Sequence, residues 1–186
     1  MAEWYVNELR TDDPRIEALL LEEGIKKDRN LDYSCGITDE YGRLVATGSC
    51  FGSTLRCFAV HKSCRGMGLL NRIAAHLIEV EYARGNTHLF LYTKCESAPF
   101  FEDLGFHTIV RIEGELVFME NTKKGFSTYL AALRNPPSYG RNAAAVVLNA
   151  NPFTLGHKAL VERACRENDI VHLFGVSEEK IGRAHV

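Results

Sequence analysis

Two adjacent prolines divide this chain into parts of different composition. Residues 135–140 read Asn-Pro-Pro-Ser-Tyr-Gly. Neither a helix nor a strand tolerates that run, because proline lacks a backbone N–H group and both proline and glycine favour turns. We therefore predict a linker over residues 121–142, with a short helix at residues 126–133 inside it. A first domain over residues 1–120 and a second domain that begins at residue 143 follow from this division.

The residues before the linker have the pattern of one α+β domain. Between residues 32 and 61, apolar and polar residues alternate in three runs, which predicts an antiparallel meander. A helix with one apolar face follows the meander, and that face consists of Leu70, Ile73, Ala74, Leu77 and Ile78. The other predicted elements are a short amphipathic helix after Pro14, a strand at residues 88–93, a helix at 98–104 and a strand or hairpin at 109–119.

The residues after the linker predict the start of a doubly wound, Rossmann-like α/β domain. An apolar run at residues 143–148 suits a parallel strand that is covered on both faces. A helix at 156–167 and a strand at 170–176 complete a strand–helix–strand crossover. The helix face that we predict to be buried consists of Ala159, Leu160, Ala164 and Cys165. Fewer than half of the roughly 100 residues that such a domain needs follow the linker. We therefore expect an incomplete domain over residues 143–178 and a chain that is inactive by itself.

Composition restricts the partners and the compartment. The chain has 22 basic and 24 acidic residues, a balance that argues against binding nucleic acid through its phosphates. No apolar run reaches the roughly 18 residues of a membrane span, and the first residues lack a signal segment. The 6 cysteines contain no Cys-x-x-Cys pair, and the histidines have no metal-ligand spacing. We expect a cytoplasmic protein with no protein-held metal and no nucleic-acid or membrane partner.

Two glycines stand where a predicted strand meets a predicted helix. The segment Arg65-Gly66-Met67-Gly68 follows the strand at residues 55–61 and opens the next helix. Glycines at such a point let backbone N–H groups approach a pyrophosphate at the positive end of the helix. A plain strand-to-helix turn explains the two glycines equally well.

The first domain resembles the GCN5-related N-acetyltransferase (GNAT) fold over residues 1–120. The string Phe-Phe-Glu-Asp-Leu-Gly-Phe at residues 100–106 contributes to the likeness. The resemblance implies that the glycine loop binds the pyrophosphate of a CoA-type ligand, whose pantetheine arm lies along the preceding strand. The residues implied in binding this CoA-like arm are Phe58, Val60, Arg65, Gly66 and Gly68.

Two residues depart from the GNAT pattern. Ser63 stands where the family usually has glutamine or arginine, and Phe101 stands where many members have a tyrosine that acts as general acid. A phenyl ring cannot donate a proton. Tyr92 or Cys95 could replace that tyrosine, although each is equally explained as a core or strand residue.

The turn after the strand at residues 143–148 carries the most specific motif. Residues 149–157 read Asn-Ala-Asn-Pro-Phe-Thr-Leu-Gly-His, at the strand end where an open α/β sheet places its ligands. Thr154 and His157 fit the (His/Thr)-x-Gly-His signature of nucleotidyltransferases, which implies that both act in catalysis at the phosphates of ATP. Fixed donors there would stabilise the charge that develops during adenylyl transfer. The residues expected to bind ATP are Asn149, Asn151, Pro152, Phe153, Thr154, Gly156 and His157. A helix-capping threonine beside a core histidine is the alternative explanation.

The pairing of a GNAT-like domain with a Thr-x-Gly-His domain resembles the citrate lyase ligase family. Residues 87–94 and 119–121 also contribute to this likeness, which extends from residue 1 to about residue 178. It implies a reaction dependent on ATP and Mg2+, in which acetate attacks the α-phosphate and acetyl-adenylate and pyrophosphate form. The acetyl group would then pass to the thiol of a dephospho-CoA-type prosthetic group on the acyl carrier subunit of citrate lyase. AMP would leave, and citrate lyase would become active.

Two other functions are compatible with the same residues. The chain could be a stand-alone N-acetyltransferase that uses acetyl-CoA and carries a nucleotide-binding appendage. It could also be a docking module whose GNAT-like fold recognises a carrier protein without catalysis. Loss of the usual glutamine and tyrosine suits the docking module, whereas the intact Thr-x-Gly-His motif does not.

The last six residues have an unusual origin in our interpretation. Residues 181–186 read Ile-Gly-Arg-Ala-His-Val, which is what ATC GGA AGA GCA CAC GTC encodes, a string found in a common sequencing adapter. We hypothesise that the gene is truncated into adapter sequence at this point. Different codons in the coding DNA would contradict this hypothesis.

Overall fold

The computed structural model describes residues 4–132 and 142–176. The chain divides into two compact units, Met1–Leu133 and Arg134–Val186. The predicted linker begins in the first unit, because its first part forms a helix there, and residues 133–141 lie outside the described residues. The tail at residues 181–186 also lies outside them.

The first unit is a seven-stranded sheet with helices. The strands are β1 (Asn7–Leu9), β2 (Tyr33–Thr38), β3 (Leu44–Phe51), β4 (Thr54–Val60), β5 (Phe90–Thr93), β6 (His107–Ile112) and β7 (Leu116–Glu120). The helices are α1 (Pro14–Glu22), α2 (Leu69–Ala83), α3 (Ala98–Asp103) and α4 (Gly125–Ala132). The sheet order is β1-β2-β3-β4-β5-β7-β6, and the predicted meander is β2, β3 and β4. All neighbouring strands are antiparallel except β4 and β5, which are parallel.

Helix α2 covers the middle of the sheet and begins at the predicted glycines. Gly68 is its N-terminal cap in the left-handed conformation, with φ of 73°. The predicted apolar face packs against the core: Ile73, Ala74 and Leu77 are buried, and Leu70 and Ile78 are half-buried against the same cluster. Leu69 and Glu81, which the prediction did not include, are buried on α2 as well.

Strands β4 and β5 separate soon after they pair. The described pairing joins Thr54 to Phe90 and Leu55 to Leu91, while β4 continues to Val60. The register between β3 and β4 also shifts at this level, and Cys57 has φ of 54°. Such a bulge bends a strand and re-aims its side chains. The separation leaves a V-shaped opening in the sheet, and residues of both strands line a cleft there.

The second unit contains the predicted crossover. Strand β8 (Ala143–Leu148), helix α5 (Leu155–Glu167) and strand β9 (Ile170–Gly175) follow one another, and the two strands pair in parallel along their whole length. The burial that we predicted is wrong, because Val146 is the buried residue of β8 and Leu160 of α5 is 49% exposed. Ala159 and Cys165 are exposed too, and Ala164 is half-buried. Two strands and one helix provide too little surface to cover an apolar strand on both faces.

Candidate functional site

The cleft between β4 and β5 contains every residue predicted for the CoA-like arm. Its volume is about 810 Å³. The residues predicted for the arm that line it are Phe58, Val60, Arg65, Gly66 and Gly68. The strand and the glycine loop therefore line the same cleft.

The glycine loop presents backbone donors to this cleft. Gly66 and Gly68 have φ of 79° and 73°, and a Cβ atom built on either would meet nothing within 4 Å. The first N–H groups of α2 have no partner within the helix, and Leu69, Leu70 and Asn71 of that turn line the cleft. Such a helix start, at the positive end of the helix dipole, favours an anion.

A carboxylate ties the rim of the cleft to the glycine loop. Glu23 accepts the backbone N–H of Lys62 at 3.0 Å and contacts the Arg65 guanidinium. Lys94 Nζ donates to the carbonyl oxygen of Glu23 at 2.9 Å. The Glu23 side chain is 7% exposed, whereas that of Arg65 is 66% exposed. Glu23 therefore orients Arg65 at the mouth of the cleft, a contact for which the sequence gives no local signal.

Ser63 takes part in a helix cap outside the lining of the cleft. Its Oγ lies 2.6 Å from Nδ1 of His61, and Nε2 of the same ring lies 3.2 Å from Glu22. Ser63 N–H also donates to Nδ1, so Nδ1 is an acceptor. Ser63, at the position where the GNAT family usually has glutamine or arginine, thus helps to cap the turn Lys62–Cys64.

The narrow end of the cleft holds a polar cluster that the sequence did not predict. Asp28 and Tyr92 line the cleft, and the Tyr92 hydroxyl donates to Asp28 Oδ2. Arg56 Nη1 lies 3.4 Å from the same oxygen. Burial, and next the hydrogen bond to Asp28, raise the pKa of Tyr92 to about 12. Arg56 was detectable as a lone charge in an alternating strand, whereas Asp28 lies in a loop without a motif.

The other positions considered for a general acid offer no donor to the cleft. Phe101 contributes to the wall of the cleft, where it is fully buried with its ring 5.1 Å from that of Phe58, so an apolar core residue stands at the position of the usual tyrosine. Cys95 lies outside the described lining, and its thiol donates to the carbonyl oxygen of Ile112 at 3.5 Å. Of the two predicted substitutes, Tyr92 is the one in the cleft.

The second predicted site is a single exposed loop between β8 and α5. All the residues predicted to bind ATP lie in this loop or in the first turn of α5, and those that are exposed are Asn149, Asn151, Pro152, Phe153, Thr154 and Gly156. His157 is half-buried beside the Phe153 ring, with 5.7 Å between the ring centroids. The loop follows the carboxyl end of a parallel strand, where doubly wound sheets bind ligands.

Thr154 and His157 form a reciprocal cap at the start of α5. Thr154 Oγ1 accepts the backbone N–H of His157 at 3.4 Å, and Nδ1 of His157 accepts the backbone N–H of Thr154 at 3.0 Å. Because Nδ1 is an acceptor, the neutral ring carries its hydrogen on Nε2. Nε2 has no hydrogen-bond partner within residues 142–176. The alternative explanation was half correct: Thr154 caps the helix, but His157 is not a core residue.

No helix in the described ranges is long and apolar enough to cross a bilayer.

Comparison with known proteins relates this chain to one family of ligases by sequence. Residues 143–183 match the family model described as the citrate lyase ligase C-terminal domain. The chain is 35% identical over 164 residues to the [citrate [pro-3S]-lyase] ligase of Escherichia coli, which covers 88% of this chain and 46% of that protein. It is 38% identical over 179 residues to the ligase of the same name from Klebsiella pneumoniae, covering 92% of this chain and 51% of that protein. The chain thus spans about half the length of these relatives.

The solved structures confirm the GNAT-like fold of the first unit. An acetyltransferase of the GNAT family from Staphylococcus aureus superposes with a TM-score of 0.52 at 13% identity, covering 64% of this chain and 100% of that chain. N-acetylglutamate synthase from Neisseria gonorrhoeae, solved with coenzyme A and N-acetyl-glutamate, has a TM-score of 0.50 at 19% identity and covers 66% of this chain and 36% of that chain. At such identities the likeness concerns the fold alone.

Proposed function

Because this chain is a homologue of the citrate lyase ligases over about half of their length, we propose that it is part of an ATP-dependent ligase that activates citrate lyase. In this proposal acetate attacks the α-phosphate of ATP, and acetyl-adenylate and pyrophosphate form. The acetyl group then passes to the thiol of a CoA-type prosthetic group on the acyl carrier subunit of citrate lyase, and AMP leaves.

The loop at the start of α5 carries the proposal for the first half-reaction. His157 Nε2–H is a donor whose orientation is set by the cap with Thr154. A donor fixed before the reaction stabilises charge that develops on phosphate oxygens without reorganising. Gly156 has no side chain to separate the nucleotide from the backbone. We assign Thr154 and His157 to the phosphates of ATP and the rest of the loop to the nucleotide around them.

Mg2+ is expected from the resemblance, but residues 149–157 contain no carboxylate. Aspartate and glutamate are the usual protein ligands of this ion, which also binds through substrate phosphates. The loop therefore does not fit a protein-held Mg2+, and we derive no step from one.

The cleft between β4 and β5 supports the proposal for the second half-reaction. The glycine loop and the start of α2 suit the pyrophosphate of a CoA-type ligand. An extended arm would then follow β4 past Val60 and Phe58, where the backbone of β4 is not paired with β5. The phenyl ring of Phe101 in place of a tyrosine argues against routine amine acetylation.

The free state of all 6 cysteines is compatible with the cytoplasm.

The decisive measurement is acetate-dependent exchange of labelled pyrophosphate into ATP. We expect the complete protein to catalyse this exchange without any thiol acceptor, because acetyl-adenylate forms first. Acetylation of an amine from acetyl-CoA, without exchange, would instead indicate a stand-alone N-acetyltransferase. Neither reaction in the complete protein, together with binding to the acyl carrier subunit, would indicate a docking module.

A further inference from the structure

A second cavity in the first unit takes no part in the proposed function. Its volume is about 770 Å³, which lies within the range of small-molecule sites. Four aromatic rings line it, Phe90 and Phe118 from the sheet and Phe126 and Tyr129 from α4. The rings of Phe90 and Phe118 are nearly parallel, with an interplanar angle of 7° and centroids 5.7 Å apart. Such a lining favours an aromatic ligand, because stacked and edge contacts between rings add to the burial of apolar area.

Two chain segments that contribute to the likeness to the citrate lyase ligase family meet at this cavity. They are residues 87–94 and residues 119–121, which are far apart in the sequence. His88 and Phe90 of the first segment line the cavity, with 4.4 Å between their ring centroids. Nε2 of His88 lies 2.6 Å from Oε2 of Glu120 in the second segment. The pair of His88 and Glu120 therefore lies beside the aromatic lining, and the proposed function gives it no role.

The buried Glu120 carboxylate orients the His88 ring. Glu120 is 4% exposed, and both of its carboxylate oxygens accept the backbone N–H of Phe126 at 2.9 Å. Gly125 permits this approach, because a Cβ atom there would come within 2.5 Å of Glu120 Oε2 and of His88 Cε1. Since the carboxylate is an acceptor, His88 Nε2 donates to it, and Nδ1 is the acceptor of the neutral ring. Nδ1 has no hydrogen-bond partner among residues 4–132 and 142–176.

We propose that this cavity binds a phenolic compound, a planar ring whose hydroxyl group donates to Nδ1 of His88. A purely apolar ligand would displace water from Nδ1 without replacing its hydrogen bond, which is costly. A cationic ligand would be repelled by Lys124, which is the only lysine, arginine, aspartate or glutamate of the lining. The inference is independent of the proposed function, because the cavity shares no lining residue with the cleft between β4 and β5.

Phenol and anisole test this assignment with the full chain. The two compounds share the aromatic ring, but anisole has a methyl ether in place of the hydroxyl group and cannot donate a hydrogen bond. Anisole is also the more apolar compound, so burial of apolar area alone would favour it. We expect phenol to bind about tenfold more tightly than anisole in titrations followed by NMR, a ratio that corresponds to about 1.4 kcal/mol.

The nitrogen resonances of His88 provide a direct readout of the proposed hydrogen bond. In a protein with ¹⁵N-labelled histidine, phenol should move the Nδ1 resonance of His88 upfield, because phenol is a stronger hydrogen-bond donor than water. Anisole should not cause this upfield shift. An Nδ1 resonance that phenol leaves unchanged would contradict the proposal.

His88→Phe keeps a ring in the lining but removes the acceptor, so the preference should reverse in favour of anisole. His76→Phe is the matched control, because His76 lies on α2 outside the lining, and it should leave both affinities unchanged. Anisole binding to the wild type at least as tightly as phenol, or no binding of phenol, would overturn the assignment. These wild-type measurements need no variant, so they decide the question even if His88→Phe fails to fold.

Discussion

His157→Ala should lower the rate of acetate-dependent pyrophosphate exchange in the complete protein by about 100- to 1,000-fold, the usual effect of removing one fixed donor from developing charge. The ring donates from Nε2 because Nδ1 is engaged by Thr154 N–H. Alanine removes that donor but keeps the helix start, because the Thr154 side chain still accepts the His157 backbone N–H. We therefore expect the loss in activity to exceed any loss in stability.

His172→Ala is the matched control for this prediction. His172 lies in β9 of the same unit, at the pair with Ala145, and not in the loop. Its substitution should leave exchange near the wild-type rate. If the His157→Ala protein exchanges pyrophosphate as fast as the wild type, the loop takes no part in the reaction. The motif would then only cap helix α5, a role that contributes about 1 kcal/mol to helix stability.

Gly66→Glu should abolish measurable binding of dephospho-CoA, observed by titration calorimetry, and should stop thiol acetylation in the complete protein. A non-glycine residue at φ of 79° strains the loop by about 1–2 kcal/mol. The new carboxylate also enters space that the glycine leaves open beside the start of α2, where it repels a pyrophosphate. Pyrophosphate exchange should continue, because acetyl-adenylate forms without the thiol arm.

Gly42→Glu provides the same chemical change at a similar backbone angle outside the lining of the cleft. Gly42 has φ of 78° and open space around it, and it lies in the turn between β2 and β3. Binding of dephospho-CoA should be unaffected in this variant. If Gly66→Glu binds the ligand as tightly as Gly42→Glu, the glycine loop is a plain turn and the arm binds elsewhere.

The features that could be predicted from the sequence are those formed by residues close together in the chain. The glycine pair marks the start of α2, the alternating runs mark the meander, and residues 149–157 form one loop. Each of these features is a local pattern that spacing and conformational preference can identify.

The polar cluster could not be predicted in the same way. Asp28, Arg56 and Tyr92 come from a loop and two strands, and only the pairing of β4 with β5 brings them together. The contact between Glu23 and Arg65 likewise joins the residue that follows α1 to the glycine loop. Burial on α5 was predicted wrongly for a related reason, since an apolar face is buried only when another element covers it.

The short parallel pairing of β4 with β5 affects how a ligand could enter the cleft. Two residue pairs join these strands in the described sheet. A small rotation of one strand relative to the other would therefore widen the opening while breaking few backbone hydrogen bonds. A long, thin molecule could then be laid in sideways from solvent. Threading it end-first would be unnecessary, which would suit the proposed ligand, an arm that is covalently attached to a carrier protein.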